Sequence, residues 1–262
     1  MAKQLLIYES AVPMSAARHG NMSVQPSADY GFSAGVNAVP LMAIEFIRAA
    51  TEYAIVFTTA GDDVLPAAVL GVRSDQNVYL SADAQWKAKY IPAFIRRYPY
   101  VFSASADGKT LTLCIDESHP GLNRDNLGER LFDDDGKPSG YTNQVLKFLQ
   151  EYQAHFERTR VFGKRLKELG LLEPMQAQVT TPKGEKLTLS GFTAVSRAKL
   201  RALDGETLAS LAKTDELELL YLHLYSMRNF SDVKDRLVGL LASEQTEAAD
   251  GQTAQGEAAS VH

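Results

Sequence analysis

VLKFLQEYQAHFERTRVFGKRLKEL, residues 145–169, is the stretch whose reading decides the fold. Val145, Leu149, Tyr152, Phe156, Thr159, Gly163 and Leu166 follow one another in alternating steps of four and three. Phe148, His155, Phe162 and Leu169 recur at every seventh position on the adjoining flank. Steps of three and four keep residues on one side of a 3.6-residue spiral, so this is a long amphipathic helix with a wide apolar face. Gly170 and Pro174 end it. A face that wide has to be covered, and the residues before it read as strands.

Glu52–Thr59 (EYAIVFTT) is β-branched and aromatic and predicts a strand. Gly61-Asp62-Asp63 is a turn. Ala67–Val72 and Val78–Leu80 read as two more strands around a turn at 74–77. Val101–Ala104 and Thr110–Ile115 flank Asp107-Gly108, a strong hairpin signal. Residues 52–117 therefore predict one antiparallel sheet with a short helix inserted at Pro92–Arg97. Upstream, Pro13, Pro26 and Pro40 mark an irregular arm with a short strand at Leu5–Tyr8. Leu41–Ala50 predicts a short helix with Ile44 and Ile47 on one side. Downstream, a hairpin is expected at 178–181 and 186–189 around Lys183-Gly184. Four helices should follow: one capped by Ser196, one by Asp204, one through Leu217–Leu224 and one capped by Ser231. The fold class is α+β: a mostly antiparallel sheet in the N-terminal half packed on the long helix, with a helical C-terminal half. One domain is expected over 1–240. Residues 241–262 should be a disordered acidic tail, because from Ser243 the sequence has four acids, no Lys or Arg, and almost no apolar side chain to bury.

Net charge is −5, with 32 acids against 27 bases, which argues against a nucleic-acid partner. The single Cys114 excludes an internal disulfide and fits a reducing compartment. Leu5–Tyr8 is shorter than the ~7–15 apolar residues of a secretory signal, and no run approaches the ~18 of a membrane span. We expect a cytoplasmic protein.

Candidate chemistry is sparse. Asp133-Asp134-Asp135-Gly136 resembles the start of a calcium loop, but its twelfth position is Gln144 in place of a bidentate glutamate, so a solvated turn is expected. Asp116, Glu117 and His119 cluster at a predicted strand end. Asp116 and Glu117 should point to opposite sides, and no second histidine has a usable local spacing. Ser196-x-x-Lys199 matches an acyl-enzyme pattern without its companion motifs. Cys114 falls inside a strand and reads as inert, and His155 as a half-buried packing residue. No cofactor and no catalytic residue is expected. The alternative is an oxygenase-related tailoring enzyme whose ligands, Asp116, His119 and His223, converge only in three dimensions.

The remaining feature is Trp86–Tyr100, WKAKYIPAFIRRYPY, with five aromatic residues, four bases and no acid. Trp86, Tyr90, Phe94 and Tyr98 recur at steps of four and could form one buried stripe, with Lys87 and Arg97 on the wet face. The other reading is a partner-binding surface built from Trp86, Tyr90, Arg96, Arg97 and Tyr98, the bases meeting carboxylates and the rings supplying apolar area.

The order EYAIVF, PAAVLGV, NVYL, W-x₃-YIPAFIRRYPY and LCIDE resembles the SapC-like family of bacterial proteins. Later pieces agree: GERLFDDDGKPSGY, VFGKRLKELGLLEP, SGFTAVSRAKLRALDGETLASL and ELELLYLHLYSMRNF. The resemblance runs from about Leu6 to Leu240. It implies association with surface-layer protein transport, and gene neighbours that include outer-membrane receptors, flavin halogenase-like proteins and iron/2-oxoglutarate oxygenase-like proteins. It is distinct from the peptide-transporter permease that shares the name. It implies no active site. The expectation is a non-catalytic accessory protein for a protein or peptide partner, in surface-protein export or peptide and nutrient handling, with export or outer-membrane uptake components as candidate partners.

Overall fold

In the computed structural model, which describes residues 6–105, 107–181 and 183–243, the long helix runs from Gly140 to Glu168. Ser139 caps its start, accepting the Thr142 N–H, and Gly170 (φ 63°) turns the chain out of it. At 29 residues it is about 43 Å long, and it needs that length because it covers two separate sheets.

The first sheet has five strands. β3 (Ala38–Pro40), β4 (Ile55–Ala60), β5 (Asp63–Val69), β10 (Leu172–Thr180) and β11 (Lys186–Val195) lie in the order β10-β11-β4-β5-β3, all neighbours antiparallel. The second has three: β1 (Ala11–Pro13), β6 (Tyr100–Ala104) and β7 (Leu111–Asp116), ordered β1-β7-β6. A small third sheet joins β2 (Ser23–Val24), β8 (Leu122–Asn123) and β9 (Glu129–Arg130). The helical elements are α1 (Ala16–His19), α2 (Phe46–Ala49), α3 (Ala93–Arg96), the long α4, α5 (Arg197–Arg201), α6 (Gly205–Lys213), α7 (Glu216–Ser226) and α8 (230–243).

The C-terminal half of α4 buries Phe162, Gly163 and Leu166 against the large sheet, together with Phe46, Phe57 and Leu220. Gly163 is the closest approach. A Cβ there would lie 1.8 Å from the carbonyl oxygen of Val64 on β5, so only glycine admits this separation. The N-terminal half of α4 packs Leu149 with Tyr100, Ile115, Leu131 and Phe132 in a second core under the small sheets. Met42, Ala93 and Tyr152 form a third cluster of buried residues.

The α+β class and the order of elements stand as expected, but the predicted single sheet over 52–117 is two. β4 and β5 belong to the five-stranded sheet, β6 and β7 to the other, and Trp86–Tyr100 passes between them. Val78–Leu80 is not a strand. The Asn77 side chain accepts the Tyr79 N–H and closes a turn, leaving Leu80 with a single bridge to Trp86. Residues 6–8 are not a strand either, and pairing with β7 begins at Ala11, after the Asp116 carboxylate has taken the Glu9 and Ser10 N–H groups. In the turn of helix around α2 the core takes Phe46, Ala49 and Ala50, and Ile44 and Ile47 are exposed. Asp204 caps α6 through the Thr207 N–H. Ser231 lies inside α8 and its hydroxyl donates to the Arg228 carbonyl instead of capping. The expected tail has only its first residues, up to 243, among those described.

Candidate functional site

Between its bridge at Trp86 and the start of β6 at Tyr100, the Trp86–Tyr100 block is irregular except for the four residues of α3, so its aromatic residues do not share a stripe. Trp86 is half-buried. Its Nε1–H donates to the Tyr53 hydroxyl (2.8 Å), and its ring stands against Tyr30 and Tyr79. Tyr53 in turn donates to the Tyr90 carbonyl. The Glu52 carboxylate accepts the N–H groups of Lys89 (2.7 Å) and Tyr90 (3.0 Å). These bonds fasten the first half of the block to the loop before β4.

The second half is fastened by Glu45, which is almost wholly buried. Its carboxylate accepts the Met42 N–H (2.7 Å), the Ala93 N–H (2.7 Å) and the Tyr90 hydroxyl (2.6 Å). Burial holds this carboxyl above the usual glutamate range in spite of those three donors. No sequence signal marks Glu45 beyond its place as the one acid in an apolar turn, LMAIEFI.

Arg96 and Arg97 are adjacent in sequence and opposite in environment. Arg96 is exposed. Its Nε donates to the Ile91 carbonyl (3.0 Å), and its guanidinium lies 5.9 Å from the Tyr90 ring centroid and 5.5 Å from that of Phe148 on α4. It lines an open cleft of about 390 Å³ with Ile44, Glu45, Arg48, Phe148 and His155. Arg96 and Arg48 form no ion pair among the described residues. Arg97 is 4% exposed, and its guanidinium centre lies 4.2 Å from the Phe94 ring, 5.0 Å from Tyr152 and 5.7 Å from Tyr8. The expected place for Arg97 on the wet face is thus corrected. A delocalised, weakly hydrated guanidinium is satisfied by ring faces where an ammonium would not be.

Tyr98 belongs to a second open cleft, of about 430 Å³, lined by Tyr8, Glu9, Phe32, Tyr98 and Ser118 among others. Its ring stacks on Phe32 (3.9 Å between centroids) and touches Tyr8 (5.5 Å) and His119 (5.3 Å). Burial and the nearby Asp116 charge push the Tyr98 hydroxyl up to about 12. The five block residues singled out from the sequence therefore separate. Tyr90 and Arg96 face one cleft, Tyr98 the other, Trp86 is an anchor and Arg97 a buried support.

Asp116, His119 and His223 are not brought together as a ligand set. Asp116 is fully buried and accepts the Glu9 and Ser10 N–H groups (both 2.9 Å), the Ser118 hydroxyl (2.6 Å) and the Ser118 N–H (3.1 Å). Burial opposes its ionisation, but these donors outweigh it and hold the carboxyl below the usual range. Glu117 points elsewhere, to Arg18 (2.6 Å) and His19 (3.1 Å). His223 bridges two strands. Its Nε2 accepts the Val195 N–H (3.0 Å), which leaves the Nδ1 proton for the Ile55 carbonyl (2.9 Å), and burial pushes its pKa down to about 4. Both ring nitrogens are thus spent on backbone. Among the described residues no group of three or more His, Cys, Asp or Glu side chains is placed to hold a metal ion. Cys114 is buried, with its thiol pushed up by burial. Asp133 accepts the Asp135 and Lys137 N–H groups in an exposed turn. His155 is half-buried at the rim of the first cleft.

No described helix is long and apolar enough to cross a membrane. No curated protein matches the chain, and no solved structure does. The family model described as SapC matches residues 14–233, which takes in every strand but β1, the Trp86–Tyr100 block, the walls of the Arg96 cleft and the helices as far as the start of α8, while the Tyr8 and Glu9 wall of the second cleft precedes it. On that match over most of its length, the chain belongs to the SapC family.

Proposed function

We propose that this protein is a non-catalytic cytoplasmic accessory protein that holds a protein or peptide partner in the cleft between the α2 turn, α3 and α4. The observation that carries the reading is Arg96. It is exposed, laid against Tyr90 and Phe148, and in no salt bridge among the described residues, its acid neighbour being the buried Glu45, whose carboxylate is already taken by three donors. An arginine already held by two rings and by the Ile91 carbonyl has little freedom left to lose on binding, and its remaining N–H edge suits a carboxylate bidentately. Arg48 adds a second cation, and exposed Ile44 with half-buried Phe148 adds apolar area, the composition of a binding hot spot. Asp116, Glu45 and His223 are instead committed to backbone groups, and His119 stands against the Tyr98 ring apart from His223. The setting in surface-protein export or peptide and nutrient handling follows from what the family resemblance implies.

The test is affinity capture from the native host with tagged wild type and Arg96→Glu, read by mass spectrometry. The variant should keep its melting temperature and lose the partner that the wild type enriches. Retention of the same partner by a folded Arg96→Glu protein would remove this cleft as the binding site.

A further inference from the structure

The second cleft carries a chemistry that partner capture at Arg96 does not use. Three of its walls are aromatic. Phe32 and Tyr98 stack at 3.9 Å with 17° between planes, and Tyr8 stands 5.5 Å from Tyr98, tilted by 50°. Glu9 lines the same cleft, exposed and with no cation on its carboxylate among the described residues. Next to these rings lies the buried Asp116 carboxylate, whose hydrogen bonds tie down the backbone of Glu9 and Ser10. Ring faces are electron-rich and attract a cation within about 6 Å of the centroid. Tyr8 already does this toward the interior, where the guanidinium of the buried Arg97 lies 5.7 Å from its ring. The Asp116 and Glu9 carboxylates both act on the Tyr98 hydroxyl, so the cleft has a negative field beside its rings.

We propose that the cleft bounded by Tyr8, Phe32, Tyr98 and Glu9 binds a small organic cation bearing a quaternary ammonium group. A methylated ammonium is weakly hydrated and bulky, so it enters an aromatic cleft at little desolvation cost. A bare ammonium is compact and strongly hydrated and stays in water. A volume of about 430 Å³ admits such a group with its substituents. The rings supply the attraction and Glu9 neutralises the charge. The site shares no lining residue with the Arg96 cleft.

The test is a titration of the full-length protein with choline, followed by proton NMR. The N-methyl signal should shift upfield under the ring currents and saturate. Dimethylbutanol, the uncharged carbon isostere, should bind roughly fivefold or more weakly. Glu9→Gln, a change at an exposed side chain that keeps the backbone N–H to Asp116, should weaken choline about threefold to fivefold and leave the isostere unchanged. Phe32→Leu should weaken choline about threefold. Choline binding with co-sedimentation on phosphatidylcholine vesicles would assign the ammonium to a lipid headgroup, and choline binding without it to a soluble ligand. Failure to saturate, equal binding of the isostere, or an unaffected Glu9→Gln variant would each overturn the proposal.

Discussion

Gly163→Ala should destabilise this protein, although by helix propensity alone it should stabilise it. In the interior of a helix alanine is favoured over glycine by about 1 kcal/mol. Against that, the new Cβ would sit 2.9 Å from the Val64 carbonyl carbon and 1.8 Å from its oxygen, the latter more than an ångström inside ordinary contact, which begins at 3.4 Å. Both atoms are backbone, so no side chain can swing aside. The helix has to retreat from β5, and Phe162 and Leu166 retreat with it. Overpacking of this kind costs about 1–3 kcal/mol. The loosened contacts of two buried side chains, each worth about 1.5–3 kcal/mol, add part of their value. After the propensity gain a net loss of about 2–3 kcal/mol remains, which for a domain of this size lowers the melting temperature by roughly 5–10 °C. Urea denaturation followed by circular dichroism, with thermal melts, measures both. A variant as stable as the parent or more so would refute the close approach, and with it the account of how α4 is seated beneath the Arg96 cleft it helps to line.

Charge reversal should separate the two arginines. Arg97→Glu places a carboxylate among three rings and should cost upwards of ~3 kcal/mol, whereas Arg96→Glu should change stability by less than ~1 kcal/mol in the same denaturation assay. Glu45→Ala strands the Met42 and Ala93 N–H groups and should cost about 3 kcal/mol; a neutral result in urea would remove its clasping role. His223 gives a pH dependence. Its pKa is about 4 folded against 6.5 for an unperturbed histidine, so the unfolded chain binds the extra proton first. Stability from this group is complete above pH 6.5 and is lost as pH falls to 4, by about 3 kcal/mol in all. Urea midpoints of wild type and His223→Gln across that window should converge on acidification, and parallel curves would count against it. Asp116→Ala frees the Glu9 and Ser10 N–H groups and should make the segment before β1 several-fold more sensitive to limited proteolysis, as judged by the rate of loss of the intact N-terminus.

What was legible in the sequence was what local signals control. The face of α4 could be read because 29 residues average out any single exception, and the 101–115 hairpin because Asp107-Gly108 has few other uses. Asp204 announced its helix through its own side chain. The division into two sheets was not legible, because β4 pairs with β11 across most of the chain and no local pattern records a distant partner. The fates of Arg96 and Arg97 were hidden for a different reason. α3 is a single turn, too short for periodicity to assign faces, and which arginine turns inward depends on Tyr8 and Tyr152, far away in sequence. Glu45 was overlooked because its partners, Tyr90 and Ala93, lie more than forty residues later.

The order of strands in the large sheet has a consequence for synthesis on the ribosome. β3, β5 and β4 emerge early and can pair at once, but β11, which covers the outer edge of β4, is made last of the five. Thr193 leaves the ribosome roughly 130 residues after Phe57, a delay on the order of ten seconds at typical elongation rates. Throughout that interval Ile55–Ala60 is a nascent apolar ribbon with unclaimed amide groups along one side. A ribosome-stalled chain ending before β10 should therefore recruit general chaperones, and one carrying β11 clear of the exit tunnel should shed them.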